Sequence, residues 1–308
     1  MKILIVGGSG LIGGHAALHL SAQGHAVTLM ARRHASPATP LSGLPMMLGD
    51  YLDPEMESQA GIRRLQSFDA LIFAAGNDIR HVPRGASEES HWQRANVEGV
   101  PRFFRLARAA GIGRAIYIGS FYPQVAPQLV SKNAYVRGRL LADEGVRALS
   151  APGFEVCSLN APFVVGTVPG LPVPALAAHA GYALGTMPQL PVFAPPGGVN
   201  FISTGSLSQA IAGALDRLTP GKAYLVGDEN LSFHDYFDAF WKAAGRSDPL
   251  PVADREHPLL PDSVLYAGRG AQLFYEPPDE DVRQLGYGRN DVGPTIADIV
   301  EFYRRGPG

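Results

Sequence analysis

The chain alternates short apolar runs with longer stretches in which apolar residues recur every third or fourth position. Ile3, Leu4, Ile5 and Val6 form the first run. It is continuous rather than alternating, as a strand covered on both faces requires. Gly7, Gly8, Gly10 and Gly13 follow at once, and a helical pattern runs on to Leu20. The same pattern predicts further strands at His25–Met30, at Pro45–Leu48 leading into Gly49-Asp50-Tyr51, and at Ala70–Ala75, closed by Gly76-Asn77-Asp78. A long helix is predicted over about Glu88–Ala110, interrupted near Gly99-Val100-Pro101, where proline removes a helix donor. A fifth strand at Ala115–Gly119, a helix over Asn133–Leu149 and a sixth strand at Phe154–Leu159 come next. A seventh strand is expected at Ala223–Val226 and a last helix near Thr295–Arg305. Strands alternating with helices predict an α/β fold, a Rossmann-type doubly wound parallel sheet.

From Val156 to Leu215 the chain carries no Asp, Glu, Lys or Arg. This stretch, rich in Pro, Gly and Ala, is expected to be loop and short helix around something apolar. Packing between two lobes and a hydrophobic substrate pocket both fit that pattern. The organisation expected is a dinucleotide-binding domain over residues 1–165, rejoined by about 201–227. A smaller C-terminal lobe for substrate would come from 166–200 and 228–308. The apolar segment Leu171–Leu184 is broken by Pro172 and Pro174 and is too short to span a bilayer.

Composition narrows the classes further. The chain has 308 residues, 46% hydrophobic and 18% charged, which describes a globular protein rather poor in charge. Its net charge of -2 gives no electrostatic case for nucleic acid or a membrane surface as partner. A single cysteine, Cys157, excludes an internal disulfide and suits a reducing compartment. No basic, cleavable leader precedes the first strand, so a cytoplasmic location is expected.

Strand, glycine turn and helix in that order set backbone N–H groups and a helix N-terminus against a diphosphate. The glycines read either as Gly8-x-Gly10-x-x-Gly13 or as Gly7-x-x-Gly10-x-x-Gly13. The tip of the second strand then chooses the cofactor. An acid there binds a ribose 2′-hydroxyl, whereas an arginine accommodates a 2′-phosphate. No Asp or Glu precedes Asp50, and the strand ends in Ala31-Arg32-Arg33. NADP(H) is therefore expected over NAD(H), held by guanidinium forks. His15, His19 and His25 invite a metal reading, but His15 and His19 lie on the first helix without a nearby carboxylate, and no metal site is expected.

The second glycine spacing resembles the extended branch of the short-chain dehydrogenase/reductase superfamily, of the NAD(P)-dependent epimerase/dehydratase kind. The likeness continues over roughly the first two-thirds of the chain. It implies cofactor contacts from Gly7, Ser9, Gly10, Leu11, Ile12 and Gly13, besides Arg32 and Arg33. Gly49-Asp50 resembles the pair that meets the adenine, with Tyr51 beside it. Ala74-Ala75-Gly76 resembles the small-residue strand end beneath the cofactor, and Asn96-Val97-Glu98-Gly99 the family's Asn-Val-x-Gly helix segment. Ala161–Gly166 (APFVVG) resembles the turn bordering the nicotinamide, bringing in Pro162 and Phe163. Ser120 and Tyr135 stand at the catalytic serine and tyrosine positions. Phe121, Tyr122, Phe163 and Val165 would wall the substrate site.

One departure matters. The family's Tyr-x-x-x-Lys motif reads Tyr135-Val-Arg-Gly-Arg139 here. A phenol, with an unperturbed pKa of about 10, needs a cation and hydrogen bonds nearby to exchange protons near neutrality. Positions four apart share a helix face, so Arg139 can supply that charge and donate to ribose hydroxyls. It cannot relay a proton, because a guanidinium does not deprotonate in proteins. The resemblance implies oxidoreduction at a carbonyl or alcohol; Arg32 and Arg33 make NADP(H) the expected cofactor, and the charge-free stretch from Val156 to Leu215 makes a small apolar or aromatic substrate the expected one. Nucleotide-sugar epimerisation or dehydration, and a weakly catalytic NADP-binding sensor, are its rivals. A homodimer is also implied, pairing through Glu88–Ala110 and Asn133–Leu149, whose apolar faces carry Phe103, Leu106, Leu140 and Leu141.

Overall fold

The computed structural model describes residues 1–76 and 81–306. Asn77 and Asp78, expected to close the turn after the fourth strand, lie outside the described residues. The chain begins with β1 (Lys2–Val6), α1 (Leu11–Ala22), β2 (Ala26–Ala31), β3 (Met46–Leu48), α2 (Gln59–Leu65) and β4 (Ala70–Phe73). It continues with α3 (Glu88–Trp92), α4 (Gly99–Ala109), β5 (Arg114–Ser120), α5 (Tyr122–Val125), α6 (Ala134–Arg147) and β6 (Glu155–Ala161). Next come β7 (Phe163–Val165), α7 (Pro174–Ala183), β8 (Gly198–Ser203), α8 (Thr204–Arg217) and β9 (Ala223–Leu225). The chain closes with β10 (Glu229–Ser232), α9 (Phe233–Ala243), β11 (Gln272–Leu273), α10 (Asp279–Leu285) and α11 (Val292–Arg305).

Seven parallel strands pair in the order β3-β2-β1-β4-β5-β6-β9. β1 sits inside the sheet, and successive side chains leave it on opposite faces. Ile3 and Ile5 join a core with Ala16, Leu20, Leu207 and Ile211, from α1 and α8. Leu4 and Val6 join Phe73, Phe103, Phe104 and Val146 on the side of α4 and α6. Both faces are covered, which explains a run of apolar residues without alternation. The order reverses between β1 and β4, and at such a switch point a crevice opens beyond the carboxyl ends of the strands.

A second sheet, not foreseen from sequence, is built around β8. It pairs antiparallel with β10, while β7 and β11 run parallel to it. The stretch expected as loop and short helix is therefore largely regular: it contains β7, α7, β8 and most of α8. Without charges these segments show no polar side, and the two periods cannot be told apart in continuous apolar sequence. Packed against this sheet is an aromatic core of Phe233, Tyr236, Phe237, Phe240 and Trp241 from α9 with Ile296 and Ile299 from α11.

The long helix also differs from expectation. It is not interrupted at Gly99-Val100-Pro101, because α3 runs into a π-helical turn, Gln93–Glu98, and on into α4. Pro101 cannot donate to the residue four before it, and the wider turn immediately upstream absorbs the mismatch. Phe103 and Leu106 are buried within the protomer, and only Leu141 of the expected pairing faces is clearly exposed, at 39%. Among the described residues no helix is long and apolar enough to cross a membrane.

Candidate active site

Two adjoining cavities occupy the crevice at the switch point. The first, of 610 Å³, lies over β1, β2 and the end of β3. The second, of 780 Å³, lies between the ends of β5 and β6 on one side and β7, α7, β8, α9 and the segment 259–266 on the other, the lobe side. Gly10, Ala74 and Gly76 line both.

The glycine turn is built by close approach. Gly7 takes a left-handed backbone, φ 82°, and its N–H donates to the Met30 carbonyl at 2.9 Å. A Cβ there would lie 2.7 Å from the Ala75 nitrogen, and one at Gly13 would lie 2.4 Å from the Gly7 oxygen. A Cβ at Gly10 would meet only the Gly7 oxygen, at 3.4 Å, and otherwise open space. The helix behind it, α1, has no acid in its first turn, so its free N–H groups keep their attraction for an anion. This cradle fits a dinucleotide diphosphate.

The residues expected from sequence to meet the cofactor are distributed over these two cavities as follows. Gly7, Ser9, Gly10, Arg32 and Arg33 line the smaller cavity, with Asp50, Tyr51, Ala74, Ala75 and Gly76. Both arginine side chains are exposed. Leu11, Ile12, Gly13, Pro162 and Phe163 line the larger cavity. Asn96 lines neither: it is 2% exposed, close to Gly138 on α6. It belongs to the support beneath α6, because the π turn carries it inward.

Ser120, Tyr135 and Arg139 meet in the larger cavity, together with Phe121, Tyr122 and Val165. Ser120 ends β5, in register with Ala161 of β6, and is 7% exposed. Asn133 starts α6 by accepting the Val136 N–H at 3.0 Å, a cap typically worth about 1 kcal/mol. One turn further on, Arg139 Nη1 donates to the Tyr135 hydroxyl at 3.3 Å and Nη2 donates to the Ile118 carbonyl at 2.8 Å. The guanidinium is 7% exposed, with its carbon 5.6 Å and 5.8 Å from the ring centroids of Tyr117 and Tyr135. Burial works to lower its pKa, but the two phenols outweigh burial and hold it above its usual value. The charge is permanent.

Several residues not foreseen from sequence adjoin the candidate site. Tyr266 stacks on Tyr135 with centroids 4.7 Å apart at 25°, while Trp92 meets the same ring edge-on at 5.3 Å. His179, Phe201 and Tyr236 line the lobe side of the larger cavity. They come from α7, β8 and α9, which share no spacing along the chain. The one available signal was the aromatic stripe Phe233, Tyr236, Phe237, Phe240 and Trp241, at helical intervals.

Four cations that could have reached the pocket from outside are engaged elsewhere or do not line it. Arg217 donates to the Gln284 and Leu285 carbonyls, Lys222 pairs with Asp281, and Arg269 pairs with Asp262. None of these, nor Arg283, lines either cavity. Among the described residues no group of three His, Cys, Asp or Glu could hold a metal ion. His15 pairs with Ser208 at 2.8 Å. Cys157 is buried, and burial pushes its thiol pKa up.

A parallel sheet with a glycine cradle at its switch point, and a tyrosine–cation pair beside it, defines a dinucleotide-dependent enzyme of the short-chain dehydrogenase/reductase type. The profile of the NAD dependent epimerase/dehydratase family matches residues 3–179, and the chain belongs to that family, within the extended branch of the superfamily. A Synechocystis sp. protein provisionally named dihydroflavonol 4-reductase is 22% identical over 97% of this chain and 94% of its own length. The 2-alkyl-3-oxoalkanoate reductase of Stenotrophomonas maltophilia is 32% identical over 38% of this chain and 32% of its own. Among solved structures, a UDP-glucose-4-epimerase from Stenotrophomonas maltophila with bound NAD superposes with a TM-score of 0.76 at 19% identity, over 99% of this chain and 98% of that one. At that identity the likeness speaks for the fold.

Proposed function

We propose that the protein is an NADP(H)-dependent reductase or dehydrogenase acting on a carbonyl or alcohol of a small apolar or aromatic substrate. The observation that carries this reading is the lobe-side wall of the 780 Å³ cavity. It is lined by Phe163, Phe201, Phe233, Tyr236 and Leu260 and receives no lysine or arginine from the lobe. A nucleotide-sugar diphosphate needs cations or backbone donors in its pocket. The full-length likeness to a protein named as a reductase adds support.

When bound, the nicotinamide supplies or takes the hydride. The glycine cradle and the N-terminus of α1 would hold the diphosphate, and Arg32 and Arg33 a 2′-phosphate. Arg139 can only donate, so the Tyr135 oxygen accepts at that side and its own hydrogen points elsewhere. That hydrogen is then available to a substrate oxygen in the cavity, and Ser120 can steady the same oxygen. In the oxidative direction the fixed charge of Arg139 stabilises the phenolate that takes the proton.

The test is consumption of NADPH with a panel of apolar and aromatic ketones, run beside UDP- and dTDP-sugars. Turnover of ketones alone is expected. Epimerisation is the second reading, supported by the family and by the epimerase neighbours. Tight UDP binding without ketone turnover would install it, and NADPH binding without any turnover would leave a sensor. Two further elements belong to the proposal. The lone buried thiol of Cys157 suits the cytoplasm. The expected homodimer would have to use Leu141 of α6, since Phe103 and Leu106 are buried within the protomer, and Leu141→Glu should convert a dimer mass to a monomer mass in light scattering.

A further inference from the structure

The lobe-side wall contains one polar relay. His179 on α7 is 5% exposed, Tyr236 on α9 is 4% exposed, and both line the larger cavity with Leu259. His179 Nε2 lies 3.1 Å from the Leu259 carbonyl oxygen. A carbonyl only accepts, so Nε2 carries a proton and donates it there. Burial pushes the His179 pKa down to about 4, so the neutral ring has no second proton and Nδ1 is an acceptor. The Tyr236 hydroxyl, 2.9 Å from Nδ1, must donate its one hydrogen to it. Burial also holds the Tyr236 phenol above its usual pKa, so it does not ionise near neutrality. Among the described residues no other hydrogen bond reaches this hydroxyl. Its oxygen is left with lone pairs and nothing to donate.

We infer that the Tyr236 oxygen, locked as an acceptor by His179 and Leu259, is a specificity determinant that recognises an O–H or N–H donor on the substrate. This rests on the reading of the cavity as a carbonyl-substrate site and narrows it to hydroxyl- or amine-bearing apolar carbonyl compounds. Diphosphate and carboxylate groups, ionised near neutrality, offer that oxygen only further acceptors, and an acceptor facing an acceptor is left unsatisfied. Ethers and plain rings lose the bond.

The experiment uses aryl ketones of increasing length, each as the free phenol, its methyl ether and the unsubstituted ring. kcat/KM is measured with NADPH for the unmodified protein and for Tyr236→Phe. Calorimetry of the same compounds on the NADPH-loaded proteins runs in parallel. The phenol is expected to be favoured by about tenfold or more at the length that spans the cavity, in line with one buried hydrogen bond. In Tyr236→Phe the preference should fall to near unity while the unsubstituted ketone is still processed. Absence of any phenol preference in the unmodified protein overturns the inference whatever the variant does, and so does a preference that survives in Tyr236→Phe. Tyr236-dependent phenol binding without turnover would uphold this site and remove the reductase reading. Loss of both would remove both.

Discussion

The proposed chemistry rests on two side chains, Tyr135 and Arg139. A lysine at the second position could rotate, lose its proton and bond a ribose; a guanidinium is planar and permanently charged. Here it is spent on the Tyr135 hydroxyl and the Ile118 carbonyl and is enclosed by two aromatic rings. Tyr135→Phe removes the proton donor and is expected to cost on the order of 100-fold or more in turnover, with NADPH binding nearly unchanged. Arg139→Met leaves the hydroxyl and the carbonyl without their donor and should lower turnover; a fall in NADPH affinity beside it would show that the guanidinium also reaches the ribose. Arg139→Lys should remain active. Steady-state kinetics and NADPH titration of the three variants check this, and parent-like turnover by Tyr135→Phe ends the assignment. A second prediction at this scale concerns Arg32 and Arg33: NADPH should bind more tightly than NADH, and the double alanine variant should lose NADPH affinity selectively. Equal calorimetric affinities in the parent would sink it. Both pairs were legible in the sequence, because a spacing of four places Tyr135 and Arg139 on one face and adjacency places Arg32 and Arg33 at one strand tip. Tyr266 was not, because its stacking on Tyr135 depends on a loop more than a hundred residues away.

Among the elements, β1, the glycine turn and α1 work as one unit. Gly13 allows α1 to rest on the Gly7 carbonyl, where an added Cβ would come to 2.4 Å. Gly13→Ala must push helix and turn apart. We predict a loss of about 1–3 kcal/mol in stability, the usual range for overpacking, and a larger loss in cofactor affinity, because the helix N–H groups leave their place. Thermal unfolding and NADPH titration measure the two effects separately. An alanine variant that binds NADPH like the parent would contradict the cradle. This unit was readable because its strand is apolar from Ile3 to Val6 and its glycines stand where backbone approaches backbone. The sheet around β8 was not. Its strands are as short as Gln272–Leu273, and its partners β7, β10 and β11 are scattered along the chain. The π turn was equally hidden, since Pro101 announces a disturbance without saying that the helix would widen rather than break.

At the scale of the molecule, the C-terminal segment is tied to the second sheet through a buried acid. Asp228 is 1% exposed, between β9 and β10. Its Oδ1 accepts the Asn290 N–H at 2.6 Å and its Oδ2 accepts the Asp291 N–H at 3.2 Å, immediately before α11. Asp291 in turn accepts from the hydroxyls of Ser203 and Ser206 at 2.7 Å and 3.1 Å, at the start of α8. Burial pushes the Asp228 pKa from 3.8 up to about 6; the two N–H donors oppose that shift, and Glu229 and Asp291 add to it. A carboxyl whose pKa is higher in the folded state binds its proton more tightly there. Its contribution is therefore fully present below the unfolded value near 3.8 and is lost as pH rises through about 6. Above that, the folded state keeps an ionised carboxylate in a dry place. Asp228→Asn carries no titrating proton and removes this pH dependence, although it also forfeits one of the two accepting oxygens. The parent should accordingly lose stability relative to Asp228→Asn as pH climbs from 4 to 6, and the gap should be constant above 7. Thermal unfolding of both proteins across that range reads the difference directly, with all other titrating groups common to the two. A gap that stays level from pH 4 to 7 would mean that Asp228 is ionised throughout, held by Arg289, whose Nε lies 3.6 Å from it.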